Sequence, residues 1–309
     1  MSGGLLQLSG VVVDLIYRVE ALPRSGGEAI VTGFDMAPGG GFNAMVAARR
    51  AGMAVSYGGG IGSGPFGEMT RRALAAEGIE VLREVDEARD QGCCTVMVEP
   101  TGERSFVASE GADGHLGRQA LDRVLGVPHD WVLLSGYALH YKGMAPVLAA
   151  WLEETEETDG FVFDPSPVVG ALPRALVMRA CERAAWVSAN AAEAEVMTGY
   201  GDPAAAARAL AAGKRGGGAV VRLGAEGCIV ASAEGCKAVA AHEVAVVDTN
   251  GAGDTHLGSF IARLAQGDGP VEAAHYANVA AALSATRHGP ATAPERAEVL
   301  AAMARTAPV

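Results

Sequence analysis

The stretch Asp248-Thr249-Asn250-Gly251-Ala252-Gly253-Asp254 is the part of this sequence best equipped for chemistry. It follows a strand-like apolar run, Val244 to Val247, and opens a helix-patterned run with Leu257, Phe260, Ile261 and Leu264 on one face. A glycine turn feeding a helix start aims free N–H groups and the positive end of the helix dipole at one point. The amides of Gly251, Ala252 and Gly253 can therefore hold an anion, and Asp254 stands beside them. A carboxylate that takes a proton while amides hold developing negative charge is suited to phosphoryl transfer to a hydroxyl. The same string also reads as a tight turn with a first-turn carboxylate that favours the dipole. The rest of a site must decide between the two.

Further candidates lie along the chain. Pro38-Gly39-Gly40-Gly41-Phe42-Asn43 leads into a helix over Ala44–Arg50. Its glycines let a ligand approach the backbone, and Asn43 offers a donor and an acceptor, or simply an N-cap. Asp14 ends the first apolar run, at the carboxyl edge where open α/β sheets bind ligands. Asn190 and Glu193 have the spacing of a capping box, and Gly224-x-x-Gly227 that of a hairpin turn.

Strand-like runs alternate with helical patterns and must position these residues. Strands are expected at Leu5–Val13, Ala54–Ile61, Trp131–Ser135, Phe161–Asp164, Trp186–Ser188, Ala219–Leu223 and Cys228–Ala231. Helices are expected to begin near Asn43, Pro65, Leu116, Gly143, Pro173, Ala192 and Pro203. That alternation predicts an α/β fold with a mostly parallel, doubly wound sheet covered by helices on both faces. Two pieces fall out of turn: an isolated strand over Glu28–Met36, and a hairpin of Cys94–Glu99 and Arg104–Ala108 around Pro100-Thr101-Gly102-Glu103. They predict a small separate β-sheet, formed by about 14–38 and 92–110, that would serve as a lid within a single domain spanning 1–309.

Composition narrows the partners. A net charge of −12 excludes nucleic acid and anionic membrane as main partners. No run approaches the roughly 18 apolar residues of a membrane span, and no basic segment precedes the N-terminal apolar run. Five cysteines without metal or disulfide spacing suit a cytoplasmic protein. Gly62-Ser63-Gly64-Pro65-Phe66-Gly67 matches a dinucleotide fingerprint, but Pro65 removes an amide that a pyrophosphate needs, and no acidic residue ends the next strand. A glycine turn with proline at the first helical position accounts for it.

Taken together, Asp14, Gly39-Gly40-Gly41-x-Asn43, Asn190-x-x-Glu193, Gly224-x-x-Gly227 and Asp248 to Asp254 resemble the ribokinase, or PfkB-type, carbohydrate kinase family in order and spacing over nearly the whole chain. The resemblance implies an ATP-dependent kinase that phosphorylates a hydroxymethyl group of a sugar or sugar-like molecule. It implies Asp254 as general base, with Gly251, Ala252 and Gly253 as the anion hole. Asp14, Gly40, Gly41 and Asn43 would bind the acceptor. Asn190, Arg222, Gly224, Gly227 and Asn278 would hold ATP, and Glu193 would bind Mg²⁺ through water. Asp248, with backbone near Asn250 and Gly289, would hold a monovalent cation, usually potassium.

The sequence departs from the ribose enzymes of that family in having Val12 two residues before Asp14 and a glycine motif one residue shorter, without its lysine. A nucleoside kinase, or a non-catalytic sugar- or nucleotide-binding regulator, is therefore an alternative. Arg104 is the candidate for holding a phosphate already present on the acceptor, and His256 reads as packing. Exposed edges of the lid would allow a homodimer.

Overall fold

The computed structural model describes residues 4–154, 158–214 and 216–306. Among them nine strands form one sheet, in the order Gly235–Val239, Cys228–Ser232, Gly218–Arg222, Ala184–Asn190, Thr158–Asp164, Trp131–Ser135, Leu5–Gln7, Val55–Tyr57 and Glu80–Val81. Pairing is parallel from Gly218–Arg222 to Glu80–Val81, and the two strands at the other edge are antiparallel. Successive side chains of a strand point to opposite faces. Leu5, Val162 and Val220 accordingly join one hydrophobic cluster, while Leu6, Phe161, Phe163, Ala219 and Val221 join another. The first lies under the helices Gly41–Arg50, Ala252–Ala265 and Pro270–Ser284, and the second under Arg118–Leu125, Ala145–Glu154, Arg174–Arg183 and Pro203–Ala211. Apolar burial on both faces is what the continuous apolar strands demand.

A second, four-stranded sheet has the order Val31–Gly40, Val11–Val19, Cys93–Val98, Arg104–Ser109. Its inner pair is parallel and its outer pairs are antiparallel. This is the out-of-turn sheet that the sequence predicts.

Several elements differ from expectation. Leu5–Val13 is two strands, broken at Leu8-Ser9-Gly10, because Leu8 N–H still bonds Leu133 O at 3.0 Å whereas Gly10 O accepts from Gly41 N–H at 3.0 Å. Asp14 thus lies inside the small sheet, opposite Ala37 and Cys94, and not at the end of a main-sheet strand. Ala54–Ile61 also divides: Val55–Tyr57 stays in the large sheet, and Ile61–Gly62 pairs with Val85–Asp86. The strand expected at Glu28–Met36 is Val31–Gly40 and runs into the glycines themselves. Val244–Val247 is not a strand; the Val247 and Asp248 amides bond Ala285 O at 2.8 and 3.1 Å. The helix after the dinucleotide-like string begins at Pro65, and the Asp90 carboxylate accepts from Phe66 N–H at 3.2 Å and Gly67 N–H at 2.7 Å. That helix start carries an anion of the protein's own.

Candidate active site

A cavity of about 470 Å³ opens between the small sheet and the carboxyl edge of the large one. The small sheet contributes Val12, Asp14, Gly40, Cys94 and Phe106 to its wall. The large sheet and the helix starts contribute Asp164, Glu193, Arg222, Asn250, Gly251, Gly253 and Asp254.

Asp254 is the third residue of the helix Ala252–Ala265, whose N-cap is Gly251. Gly251 takes φ 72°, the left-handed conformation that turns the loop sharply into the helix and that a side chain resists. Its neighbour above is Asn43, whose Nδ2 donates to Asp254 Oδ2 at 3.1 Å while its Oδ1 accepts from Ala291 N–H at 2.8 Å. The sequence left Asn43 as an acceptor contact or an N-cap. The structure gives it a third task, fixing the Asp254 carboxylate. Gly40 is the N-cap of that helix, which starts at Gly41.

Burial pushes the Asp254 carboxyl up to about 6, with Asp164 adding to the effect and the Asn43 hydrogen bond and Arg222 opposing it. Asp14 is pushed up further, to about 7, first by burial and then by the charge of Asp254. The two carboxyls face one cavity and feel each other. Gly39 leaves Asp14 its room, since a Cβ there would lie 2.2 Å from Asp14 Oδ2 and would push the carboxyl aside. Cys94, beside them, has its thiol pushed up to about 11 by burial and by Asp14, so it is no nucleophile.

The anion hole is narrower than the sequence suggests. Ala252 N–H donates to Thr249 O at 3.2 Å and is spent inside the loop. Among the described residues, the Gly251 and Gly253 amides have no protein acceptor. Arg222 stands close by, its Nε 3.6 Å from where a Cβ on Gly253 would be. Its guanidinium bonds Asp164 at 3.3 Å, approaches Glu193 at 3.5 Å, and donates to Ser188 Oγ. One cation thus serves two buried acids at the cavity floor.

Asn190 and Glu193 form the full capping box at the junction of Ala184–Asn190 and the helix Ala191–Thr198. Glu193 N–H donates to Asn190 Oδ1, while Asn190 N–H and Nδ2 donate to the Glu193 carboxylate, each at 2.8 Å. Burial and Asp164 raise Glu193, and Arg222 opposes them. The cap positions Glu193 on the cavity wall.

Some expected residues sit elsewhere. Asn278 donates from Nδ2 to Val239 O and Ala240 O, both at 3.0 Å, which ties its helix to a strand end and accounts for its burial. Gly224 and Gly227 shape the turn between Gly218–Arg222 and Cys228–Ser232, as expected. His256 is buried and stacked on Phe260, with its pKa pushed down to about 3 by burial and then by Arg222; it stays neutral and packs. Asp248, Asn250 and Gly289 do come together, but with N–H groups of Asn250 and Gly289 donating to the Asp248 carboxylate, at 2.9 and 3.1 Å. Arg104 donates to the same carboxylate.

Asp164 is the residue that the sequence reading missed. It ends a strand of the large sheet at its carboxyl edge and accepts from Ser166 N–H and Oγ at 2.9 and 3.0 Å. An acid closing the run Phe161-Val162-Phe163 was the available signal. Ser166 takes φ 57°, a strained value for a residue with a side chain, beside the same cavity. Tyr137 and Tyr141 line the cavity from the segment after Trp131–Ser135.

A doubly wound sheet, a small sheet over its carboxyl edge and a carboxyl beside helix-start amides are what a carbohydrate kinase of the ribokinase type presents. The sequence matches the pfkB family carbohydrate kinases over residues 7–297, and the chain belongs to that family. The uncharacterized sugar kinase YegV of Escherichia coli (strain K12) is 32% identical over 305 residues, covering 96% of this chain and 93% of its own. The fold superposes on ribokinase from Thermotoga maritima with a TM-score of 0.80 at 21% identity, over 98% of this chain and 99% of that one. Ribokinase from Cryptococcus neoformans var. grubii serotype A, solved in complex with ADP, gives 0.79 at 21% identity over 97% and 99%. Among the described residues no helix is long and apolar enough to cross a membrane.

Proposed function

We propose that this sugar kinase transfers the γ-phosphoryl group of ATP to a hydroxymethyl group of a sugar or sugar-like acceptor. The acceptor lies between Asp14 and Asp254 in the cavity, with Gly40, Gly41 and Asn43 behind it. Asp254 takes the hydroxyl proton as the new oxygen–phosphorus bond forms, and the bond to the bridging oxygen breaks as ADP leaves. The Gly251 and Gly253 amides and Arg222 meet the charge that builds on the phosphoryl oxygens.

ATP lies along the carboxyl edge past Asn190 and over the turn of Gly224 and Gly227. A Mg²⁺ ion that keeps several waters needs one or two carboxylates besides the phosphates. Glu193, set by Asn190, and Asp164 are the carboxylates at that place, and the ion would neutralise phosphate charge there.

The observation that carries this reading is Asp254 itself. It lies on a cavity wall, anchored by Asn43, beside two amides with no protein acceptor. A pure binding protein has no use for a base in that position. Release of ADP should be screened against sugars, phosphosugars and nucleosides, with wild-type protein and Asp254→Asn side by side. Sugar-stimulated release that persists in Asp254→Asn would refute the mechanism.

A nucleoside acceptor is the second reading, favoured by Tyr137 and Phe106, both exposed on the cavity wall where a base could stack. Nucleosides outperforming free sugars in the same screen would select it. We place the protein in the cytoplasm, where its five unpaired cysteines stay reduced. On the face of the small sheet opposite Phe106 and the cavity, Phe34 and Val107 are exposed, which supports a homodimer through it. Light scattering of wild type and Phe34→Glu checks that contact.

A further inference from the structure

The family resemblance implies a potassium ion at Asp248, and the donors around this carboxylate do not fit one. A hard cation needs oxygen lone pairs turned toward it. Asp248 Oδ1 instead accepts from the Arg104 guanidinium and from Asn250 N–H at 2.9 Å, and Oδ2 accepts from Gly289 N–H at 3.1 Å. Asn250 and Gly289 meet the carboxylate through their N–H groups. A further cation beside this carboxylate would face a guanidinium and two amide dipoles of its own sign.

Arg104 is no neighbour in sequence. It stands 144 residues before Asp248 and begins the outer strand Arg104–Ser109 of the small sheet. Its side chain is 23% exposed and that of Asp248 17%, so the pair is largely withdrawn from water. Arg104 Nη1 also reaches Thr249 Oγ1 at 3.4 Å. One side chain from the small sheet therefore grips the first two residues of the loop that ends in the anion hole. A guanidinium keeps its charge at every working pH, and its planar fork can satisfy two acceptors at once.

We infer that Arg104 takes the place of the monovalent cation at Asp248, so that the loop from Asp248 to Gly251 is set by the protein's own arginine and needs no potassium. The positive charge arrives with the small sheet. Closure of that sheet over the cavity and the setting of the anion-hole loop are then one event. The pairing stands on geometry alone; only its consequence for turnover rests on the kinase mechanism proposed above.

The test compares melting of the substrate-free protein in potassium chloride and in tetramethylammonium chloride at equal ionic strength. Wild type should melt at the same temperature in both. Arg104→Ala should melt lower than wild type in tetramethylammonium and recover several degrees in potassium, because the bared carboxylate can now take the ion. Arg104→Lys, which keeps a positive charge, should remain indifferent to potassium. Specific stabilisation of wild type by potassium would overturn the inference without recourse to any variant. A folded Arg104→Ala that ignores potassium would overturn it equally; Arg104→Met, which keeps the apolar stem, replaces that variant if it does not fold. Turnover with whichever acceptor the screen finds gives a second readout: wild type should run at one rate in both salts, and Arg104→Ala should be at least tenfold slower without potassium. Melting needs no turnover, so its result is independent of whether the kinase mechanism holds.

Discussion

Replacing Asp14 by Asn should make the protein more stable and a poorer kinase, and the size of the gain follows from the site. Asp14 is 8% exposed, and among the described residues no hydrogen bond or ion pair within the protein compensates its charge. Burial and Asp254 move its carboxyl from 3.8 to about 7. Its folded-state pKa lies above the unfolded one, so folding favours the protonated form, and stability falls as pH rises from about 4 to about 7. The interval from 3.8 to about 7, at 1.36 kcal/mol per tenfold change, sets an upper limit of about 4 kcal/mol. Water in the cavity screens part of that, and Asp254 supplies part, so we expect about 2 kcal/mol, or roughly 4 °C in Tm for a chain of this size. Melting of wild type and Asp14→Asn at pH 8 and at pH 4.5 separates this from a general packing effect. The gain belongs at pH 8 and should shrink to roughly a quarter at pH 4.5. Equal differences at both values, or a loss at pH 8, would refute the account of Asp14 as an uncompensated buried charge. The same variant should bind the acceptor more weakly, because acceptor hydroxyls are what compensate the carboxylate in use.

Asp254→Asn should lower turnover by roughly 10² or more while a melting shift on acceptor binding persists, as expected for loss of a general base. In wild type, turnover should fall as pH drops through about 6, where Asp254 takes up its proton; kcat measured from pH 5 to 8 checks this. Asn43→Ala removes the hydrogen bond that favours the ionised Asp254, so that acidic limb should move to higher pH, with about 1–3 kcal/mol of stability lost from the unpaired Ala291 amide. Gly258→Ala tests the scaffold rather than the site. A Cβ there would lie 2.1 Å from Ala44 O, so the helices Gly41–Arg50 and Ala252–Ala265 must separate, at about 1–3 kcal/mol by denaturant unfolding.

The large sheet was legible because its strands are apolar on both faces, a pattern that survives in one dimension. The loop that opens the helix Ala252–Ala265 was legible for a similar reason: glycines, a helix start and an acid are all local. What stayed hidden depends on chain crossings. Leu5–Val13 reads as one apolar run, and only the hydrogen bond of Gly41 to Gly10 O shows why it breaks and hands Asp14 to another sheet. Asn43 and Asp254 are 211 residues apart, and Arg104 and Asp248 are 144 apart, so neither pairing leaves a mark in sequence spacing. Asp164 carried a readable signal, an acid ending a buried strand, but no motif drew attention to it. Asn278 looked available for a ligand because the backbone carbonyls that occupy it come from the Gly235–Val239 edge and the residue after it.

The carboxylate of Asp90 seated on the helix Pro65–Ala76 has a bearing on where nucleotide can go. Among the described residues five helices have a glycine N-cap, Gly40, Gly64, Gly117, Gly251 and Gly269, and each such end has the polarity to attract phosphate. At one of them the vacancy is plugged from within, since Asp90 already draws on the Phe66 and Gly67 amides. A nucleotide at that end would meet a like charge already seated on those two amides. The Gly251 and Gly253 amides, by contrast, have no acceptor among the described residues, so under the proposed mechanism phosphate would be drawn there.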